Sequence, residues 1–209
     1  MKIIKPKVEI ITPIEATEVM KRIEEIGRTC YKSEAKITKG SAAKFVQNLI
    51  RSGHESVLEH CTISVRFTVD RGVSHEIVRH RLASYSQEST RYCNYGQDKF
   101  GNEIAVIEPS YLEAGSSAYL IWKTACESCE LAYLALLDQR CTPQEARAVL
   151  PNSLKTELVM TANIREWRHF LKLRCSKAAH PQIREVSIDL RNQLIDLLPH
   201  LFEDLVEVD

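Results

Sequence analysis

No run of this 209-residue chain is apolar over the roughly twenty residues a membrane helix needs. Nor does a charged start lead into an apolar signal core, so a cytoplasmic protein is expected. Net charge is missing too. The 28 basic residues are matched by 28 acidic ones. That excludes broad binding to nucleic-acid polymers or anionic membranes, which needs a basic excess, and leaves room for a local anion pocket. The glycine fingerprint GxGxxG is absent, which excludes a Rossmann-type dinucleotide site. HExxH and HxxEH are absent as well, although His54, Glu55, Glu59 and His60 lie close together. The zinc-protease patterns therefore fail, and no metal site is expected.

Cysteine is present, but not as a framework. The seven cysteines are scattered at 30, 61, 93, 126, 129, 141 and 175, an odd number. Disulfides are not expected. Cys126 and Cys129 form a CxxC inside a helical pattern, with no second close pair to complete a zinc site. They read as small buried helix residues. There is no internal repeat and no linker, so residues 1–209 read as a single domain with a sizeable core.

What is there reads as α+β. Lys7 to Ile11 is a strand stopped by Pro13, and Ile14 to Ile26 is a helix. Ala42, Phe45, Val46, Leu49 and Ile50 form one apolar helix stripe. Ile63, Val65, Phe67 and Val69 alternate strictly with polar residues and give the clearest strand. A short helix carrying Val73, Ile77 and Val78 precedes a strand expected near Thr90 to Tyr95. Ser116 to Arg140 reads as a long helix, and Pro143 opens another at a first-turn position. Leu154 to Ala162 reads as a strand, and Glu166 to Cys175 and Pro181 to Val206 as helices.

The richest segment runs Arg79-His80-Arg81-Leu82-Ala83-Ser84-Tyr85-Ser86-Gln87-Glu88-Ser89-Thr90-Arg91. It holds three arginines, a histidine and three serines in thirteen residues, with two aliphatic side chains. Such a run cannot supply a core. Cations at the end of a helix complement its dipole, which would explain one arginine. It does not explain a serine-rich run ending in Arg91 and Tyr92. Arginine forks and hydroxyls are how proteins hold phosphate, so an anion or nucleotide site is the better reading. Ser89 invites a nucleophile reading, but sequence places no activating base beside it, and hydrogen bonding to a ligand is favoured.

Arg-His-Arg, then Ser84, Ser89 and Arg91 at their spacings, resembles the signature of the flavin-dependent thymidylate synthases. Gly53 to His60, Ala146 to Pro151, and Asn163 through Arg174 with His180 extend the resemblance in the order that family shows. It implies an α+β fold with a small, mostly antiparallel sheet and several long helices, assembled as a homotetramer with active sites between subunits. It implies conversion of dUMP to dTMP, with 5,10-methylenetetrahydrofolate as carbon donor, NADPH as reductant and FAD as cofactor, releasing tetrahydrofolate. By the same resemblance Ser56, Glu59, Arg79, His80, Arg81, Gln87, Asn163, Arg165, His169 and His180 contact the flavin. Glu76, Arg79, Gln87, Glu88, Ser89, Thr90, Arg91, Arg147 and Arg174 form the deoxyuridylate site, and His54 lies by folate. Arg174 is the catalytic group, polarising uracil through N3. No cysteine is expected to attack the ring, though Cys93 and Cys175 lie nearest the motifs.

Three positions depart from some members. Glu88 replaces an apolar residue and would point at sugar hydroxyl or outward, since a carboxylate repels phosphate. Glu76 stands where glutamine occurs, and His169 where asparagine occurs. The rival readings are a metal-dependent nucleotide hydrolase using His54, Glu59, His60 and His80, and a non-catalytic nucleotide-binding domain.

Overall fold

A computed structural model of the protein describes residues 1–206, so the last three residues of the expected 1–209 domain lie outside the description. The chain runs β1 (Lys2–Ile4), β2 (Lys7–Ile10), α1 (Ala16–Thr29) and α2 (Ser41–Arg51) into a 3-10 turn over Glu55–His60. Then come β3 (Thr62–Asp70), α3 (Arg71–Ile77), β4 (Ala83–Gln87), β5 (Ala105–Ile107), α4 (Ser117–Asp138) and α5 (Pro143–Ala146). The chain closes with β6 (Lys155–Asn163), α6 (Ile164–Arg174), α7 (Pro181–Leu197) and α8 (Pro199–Phe202).

Four strands form one sheet in the order β2-β3-β6-β4, and β1 pairs in parallel with β5, Lys2 opposite Ala105 and Ile4 opposite Ile107. The amide of Ile164 donates to the Cys61 carbonyl, and the Ser64 and Thr161 hydroxyls meet at 2.7 Å. Numbers rise along one strand as they fall along the other, so β3 and β6 are antiparallel.

The chain folds into two compact units built from interleaved segments. The first gathers Met1–Lys7, Phe67–Arg79 and Tyr85–Val159. Its core includes Tyr95, Ile104, Val106, Cys126, Tyr133 and Leu154. The second gathers Val8–Arg66, His80–Ser84 and the chain from Met160 on. There α6 packs on the 3-10 turn and on α7, and Ile23, Val46, Leu58, Trp167, Phe170, Leu190 and Leu194 are fully buried.

The start of helix α6 is fixed locally. Asn163 stays extended while its side-chain oxygen accepts from the Glu166 amide at 2.9 Å, satisfying one orphan donor of the first turn. Ile164, Trp167, Phe170 and Leu171 then recur at helical spacing and are buried, Trp167 Nε1 donating to the Ile63 carbonyl.

Two expectations need correction. The strand placed near Thr90 to Tyr95 lies earlier, at Ala83–Gln87, where half-buried and exposed residues alternate and the Glu88 amide then donates to the Glu157 carbonyl. Residues 90–95 instead form turns, because the amides of Tyr92 and Cys93 both bond back to the Ser89 carbonyl. The helix expected from Pro181 to Val206 stops at Leu197, since Pro199 has no amide hydrogen to continue the ladder and opens α8 instead. Strands β1 and β5, three residues each, are too short to display a period.

Candidate active site

In the first unit, the segment after β4 is built to present donors. The Gln87 amide donates to the hydroxyls of Ser74 and Thr156 at 2.9 and 3.3 Å, which holds β4 to α3 and β6. Glu88 is turned inward rather than outward or towards a sugar. Its carboxylate accepts from Tyr95 Oη at 3.0 Å, Lys155 Nζ at 2.9 Å and the Glu157 amide at 3.1 Å. The negative charge is thus spent on protein donors instead of facing a phosphate. Burial, followed by the neighbouring Glu88 carboxylate, pushes the Tyr95 hydroxyl far above its ordinary value and keeps it protonated.

Immediately after this anchor the chain tightens. The Arg91 amide approaches Ser89 Oγ at 3.3 Å, and Thr90 is buried with Oγ1 3.4 Å from Arg147 Nη1. Arg71, His75, Thr90 and Arg147 border an open hollow of about 250 Å³ that Ala148, Leu150, Pro151, Asn152 and Leu154 also line. Arg71 also donates to the Glu88 carbonyl and the Thr156 hydroxyl. Two guanidiniums and a hydroxyl around a small hollow are groups able to hold an oxyanion.

Of the Arg-His-Arg triplet, His80 and Arg81 belong to the second unit. Arg81 is exposed, whereas His80 is only 6 % exposed and is inserted against Phe170, ring centroids 4.8 Å apart. His80 Nδ1 lies 3.0 Å from Glu166 Oε1, and Arg174 Nε donates to His80 Nε2 at 3.1 Å. Burial pushes the His80 imidazole below its ordinary value. The bond to Glu166 works against that, while the charge of Arg174 adds to it. The net direction is downward, so the ring is neutral at physiological pH.

Beside this chain of contacts lies a hollow of about 540 Å³, bordered by Glu55, Glu59, Leu82, Asn163, Arg165 and His169 among others. Arg165 pairs with Glu59, and the buried Arg168 takes Glu55 at 3.1 Å and both oxygens of Asp204 at 2.7 Å. Of the three carboxylates lining the hollow, Glu59 and Glu55 therefore already carry arginine partners, and Glu166 is engaged by His80. His54 starts the 3-10 turn that carries Ser56 and Glu59, and His180 caps α7 by accepting from the Gln182 amide at 3.4 Å.

Comparison with known proteins decides the identity of this arrangement. The profile of the Thy1 family, described as thymidylate synthase complementing protein, matches residues 14–200. A flavin-dependent thymidylate synthase of Geobacter sulfurreducens is 33 % identical over 184 residues, covering 85 % of this chain and 78 % of its own. One from Mycolicibacterium vanbaalenii is 36 % identical over 200 residues, with 87 % and 78 % covered. The chain belongs to the flavin-dependent thymidylate synthase family. A solved UMP/dUMP methylase, PolB from Streptomyces cacaoi bound with 5-Br dUMP, shares the fold at a TM-score of 0.80 and 24 % identity, covering 97 % of this chain and 96 % of that one.

With flavin-dependent thymidylate synthases as relatives, the chain is an enzyme, and the hydrolase and regulatory readings fall away. The α+β fold with a small, mostly antiparallel sheet and long helices that the resemblance implies is the fold observed. No helix among the described residues is long and apolar enough to cross a membrane. Of the family positions, the first unit gathers Glu76, Arg79, Gln87–Arg91 and Arg147, and the second gathers His54, Ser56, Glu59, His80, Arg81, Asn163, Arg165, His169, Arg174 and His180. Two residues escaped the sequence reading. Arg71 follows an ordinary strand with no motif to mark it. Glu166 stands three residues after the Asn163 cap, where an acid reads as a first-turn residue, and its bond to His80 spans 86 positions.

Proposed function

We propose that the chain methylates dUMP to dTMP, taking the one-carbon unit from 5,10-methylenetetrahydrofolate and reducing equivalents from NADPH, with FAD as cofactor. The observation that carries this is the approach of Thr90 to Arg147 beside Arg71, which brings two family segments far apart in sequence to one oxyanion hollow. A nucleotide monophosphate presents such an oxyanion. Ser89, Thr90, Arg91 and Arg147 are assigned to the phosphate, with Glu76, Arg79 and Gln87 nearby for the nucleoside, and Glu88 as an anchor rather than a contact.

The hollow in the second unit suits a flavin dinucleotide. Its volume is within the usual ~300–1,000 Å³ of cofactor pockets, and its donors match a pyrophosphate. Ser56, Glu59, Arg81, Asn163, Arg165, His169 and His180 are the residues proposed to hold FAD, with His80 behind them, its two nitrogens engaged by Glu166 and Arg174, and His54 is proposed to lie by folate. Bound FAD would supply the reducing equivalents, so that folate leaves as tetrahydrofolate. The protein's part is to orient the partners and exclude water. Arg174 is assigned to uracil N3 and its carbonyls, where a permanently charged guanidinium stabilises negative charge developing on the ring.

The family match across 14–200 supports treating 1–209 as one functional domain. We place the protein in the cytoplasm, and we assign a homotetramer with sites shared between subunits because the proposed ligands need more walls than one hollow offers. The reading is tested by the visible spectrum of purified protein and the identity of the released chromophore. FAD, freed without covalent attachment on denaturation, is the expected result. Colourless protein that takes up no FAD would contradict it.

A further inference from the structure

Glu166 and Arg174 stand on one face of α6, eight residues apart, which is about 12 Å of helix rise. Phe170 lies between them on the same face, and the His80 ring rests on Phe170. The imidazole thus fills the gap between an acid at the start of the helix and a guanidinium at its end, with one nitrogen facing each.

The protonation of this ring follows from its partners. Arginine has donors and no acceptor and does not lose its proton. The bond from Arg174 Nε therefore requires a lone pair on His80 Nε2. In a neutral imidazole the proton then sits on Nδ1, which donates to Glu166 Oε1. The contact engages Nε, the inner nitrogen of the guanidinium, and fixes the plane of the group whose outer nitrogens lie beyond it.

We propose that Glu166 is a positioning residue for Arg174: by accepting from His80 Nδ1 it fixes the tautomer whose Nε2 holds Arg174 Nε, and so aims the guanidinium. This rests on the assignment of Arg174 to the pyrimidine made above. His80, Glu166 and His169 also offer three ligand atoms within 4.8 Å of one another. A bound cation is the poorer account, because it would have to displace the Nδ1 proton from Glu166 and sit beside the Arg174 charge.

The flavin-loaded protein, labelled with ¹⁵N-histidine, tests this directly. His80 is one of seven histidines and is assigned by the signals lost in His80→Gln. The expected wild-type spectrum has His80 Nδ1 protonated and Nε2 bearing a lone pair. In Glu166→Leu the Nε2–H tautomer should grow in. The kcat for dTMP formation should then fall about 10- to 100-fold, the scale of a misplaced catalytic group, with the KM for dUMP within about threefold. Glu166→Gln keeps an acceptor oxygen and should hold both the tautomer and most of kcat.

An Nε2-protonated His80 in the wild type overturns the proposal, even where Glu166→Leu fails to fold. So does a folded Glu166→Leu protein with unchanged kcat, or equal losses in both variants with the tautomer intact. The tautomer needs no turnover to be seen. Wild-type protein that shows it, with its loss in Glu166→Leu, but makes no dTMP would refute the functional reading while leaving Glu166 as the residue that sets His80.

Discussion

The carboxylate of Glu88 lies 2.9 Å from the ammonium of Lys155, with their side chains only 13 % and 20 % exposed. This pair fastens the end of β4 one residue before the proposed phosphate contacts. Desolvation lowers the Lys155 pKa, but the bonds to Glu157 and Glu88 outweigh it and leave the group above its ordinary value. Lys155→Ala should leave Glu88 with its Tyr95 and Glu157 bonds only, costing about 1–3 kcal/mol. The KM for dUMP should rise with little change in kcat. Glu88→Leu should be milder, because it removes the buried charge together with its need for a partner. Chemical denaturation and steady-state kinetics check both.

Arg147 and Thr90 make a prediction about binding alone. Arg147→Ala should weaken dUMP binding about 10- to 100-fold, the loss of a charge-assisted bond worth roughly 1.5–3 kcal/mol. FAD content should not change, since Arg147 lies in the first unit and the flavin is assigned to the second. Equilibrium dialysis with dUMP and an absorbance ratio for flavin separate the two effects. Equal loss of both ligands would contradict the assignment.

Arg168 predicts acid behaviour. Burial alone would raise the Asp204 carboxyl, but hydrogen bonding and charge from Arg168 overcome it and hold the group below its ordinary 3.8. A depressed carboxyl stabilises the fold above its unfolded value and loses that contribution as pH falls through the folded value. Wild-type protein should therefore lose stability below about pH 4. Asp204→Asn should be less stable than wild type at pH 7 and show a shallower loss there. Urea midpoints at pH 7 and pH 3 measure it.

Cys175 closes α6 next to Arg174, yet burial pushes its thiol up to about 11, and the nearby Arg191 lowers it only in part. Hardly any thiolate exists at neutral pH, so the residue is a poor nucleophile. Cys175→Ala should keep dTMP formation within a few-fold of wild type. Complete loss in a folded, flavin-bound variant would return cysteine to the mechanism.

These sites differ in how far the sequence revealed them. The alternation of Ile63 to Val69 is a local signal, and β3 stands where it puts the strand, while α6 begins two residues before the expected Glu166, directly after the Asn163 cap. The signature loop does not read as a strand in the sequence, because Ala83–Gln87 is polar and gains its strand character from pairing with β6. Glu88 was misread because its partners, Lys155 and Glu157, are 67 and 69 residues away. Glu166 was passed over for the same reason. A buried polar side chain is explained by its partner, and a linear pattern cannot show a partner that only folding supplies.

The most direct measurement of the central claim is the folate product. Purified protein loaded with FAD is given dUMP, 5,10-methylenetetrahydrofolate and NADPH, and nucleotides and folates are quantified together. The expected result is dTMP and tetrahydrofolate in equal amounts, dependent on NADPH and abolished when FAD is stripped. dTMP formed without flavin, with dihydrofolate as the folate product, would contradict it.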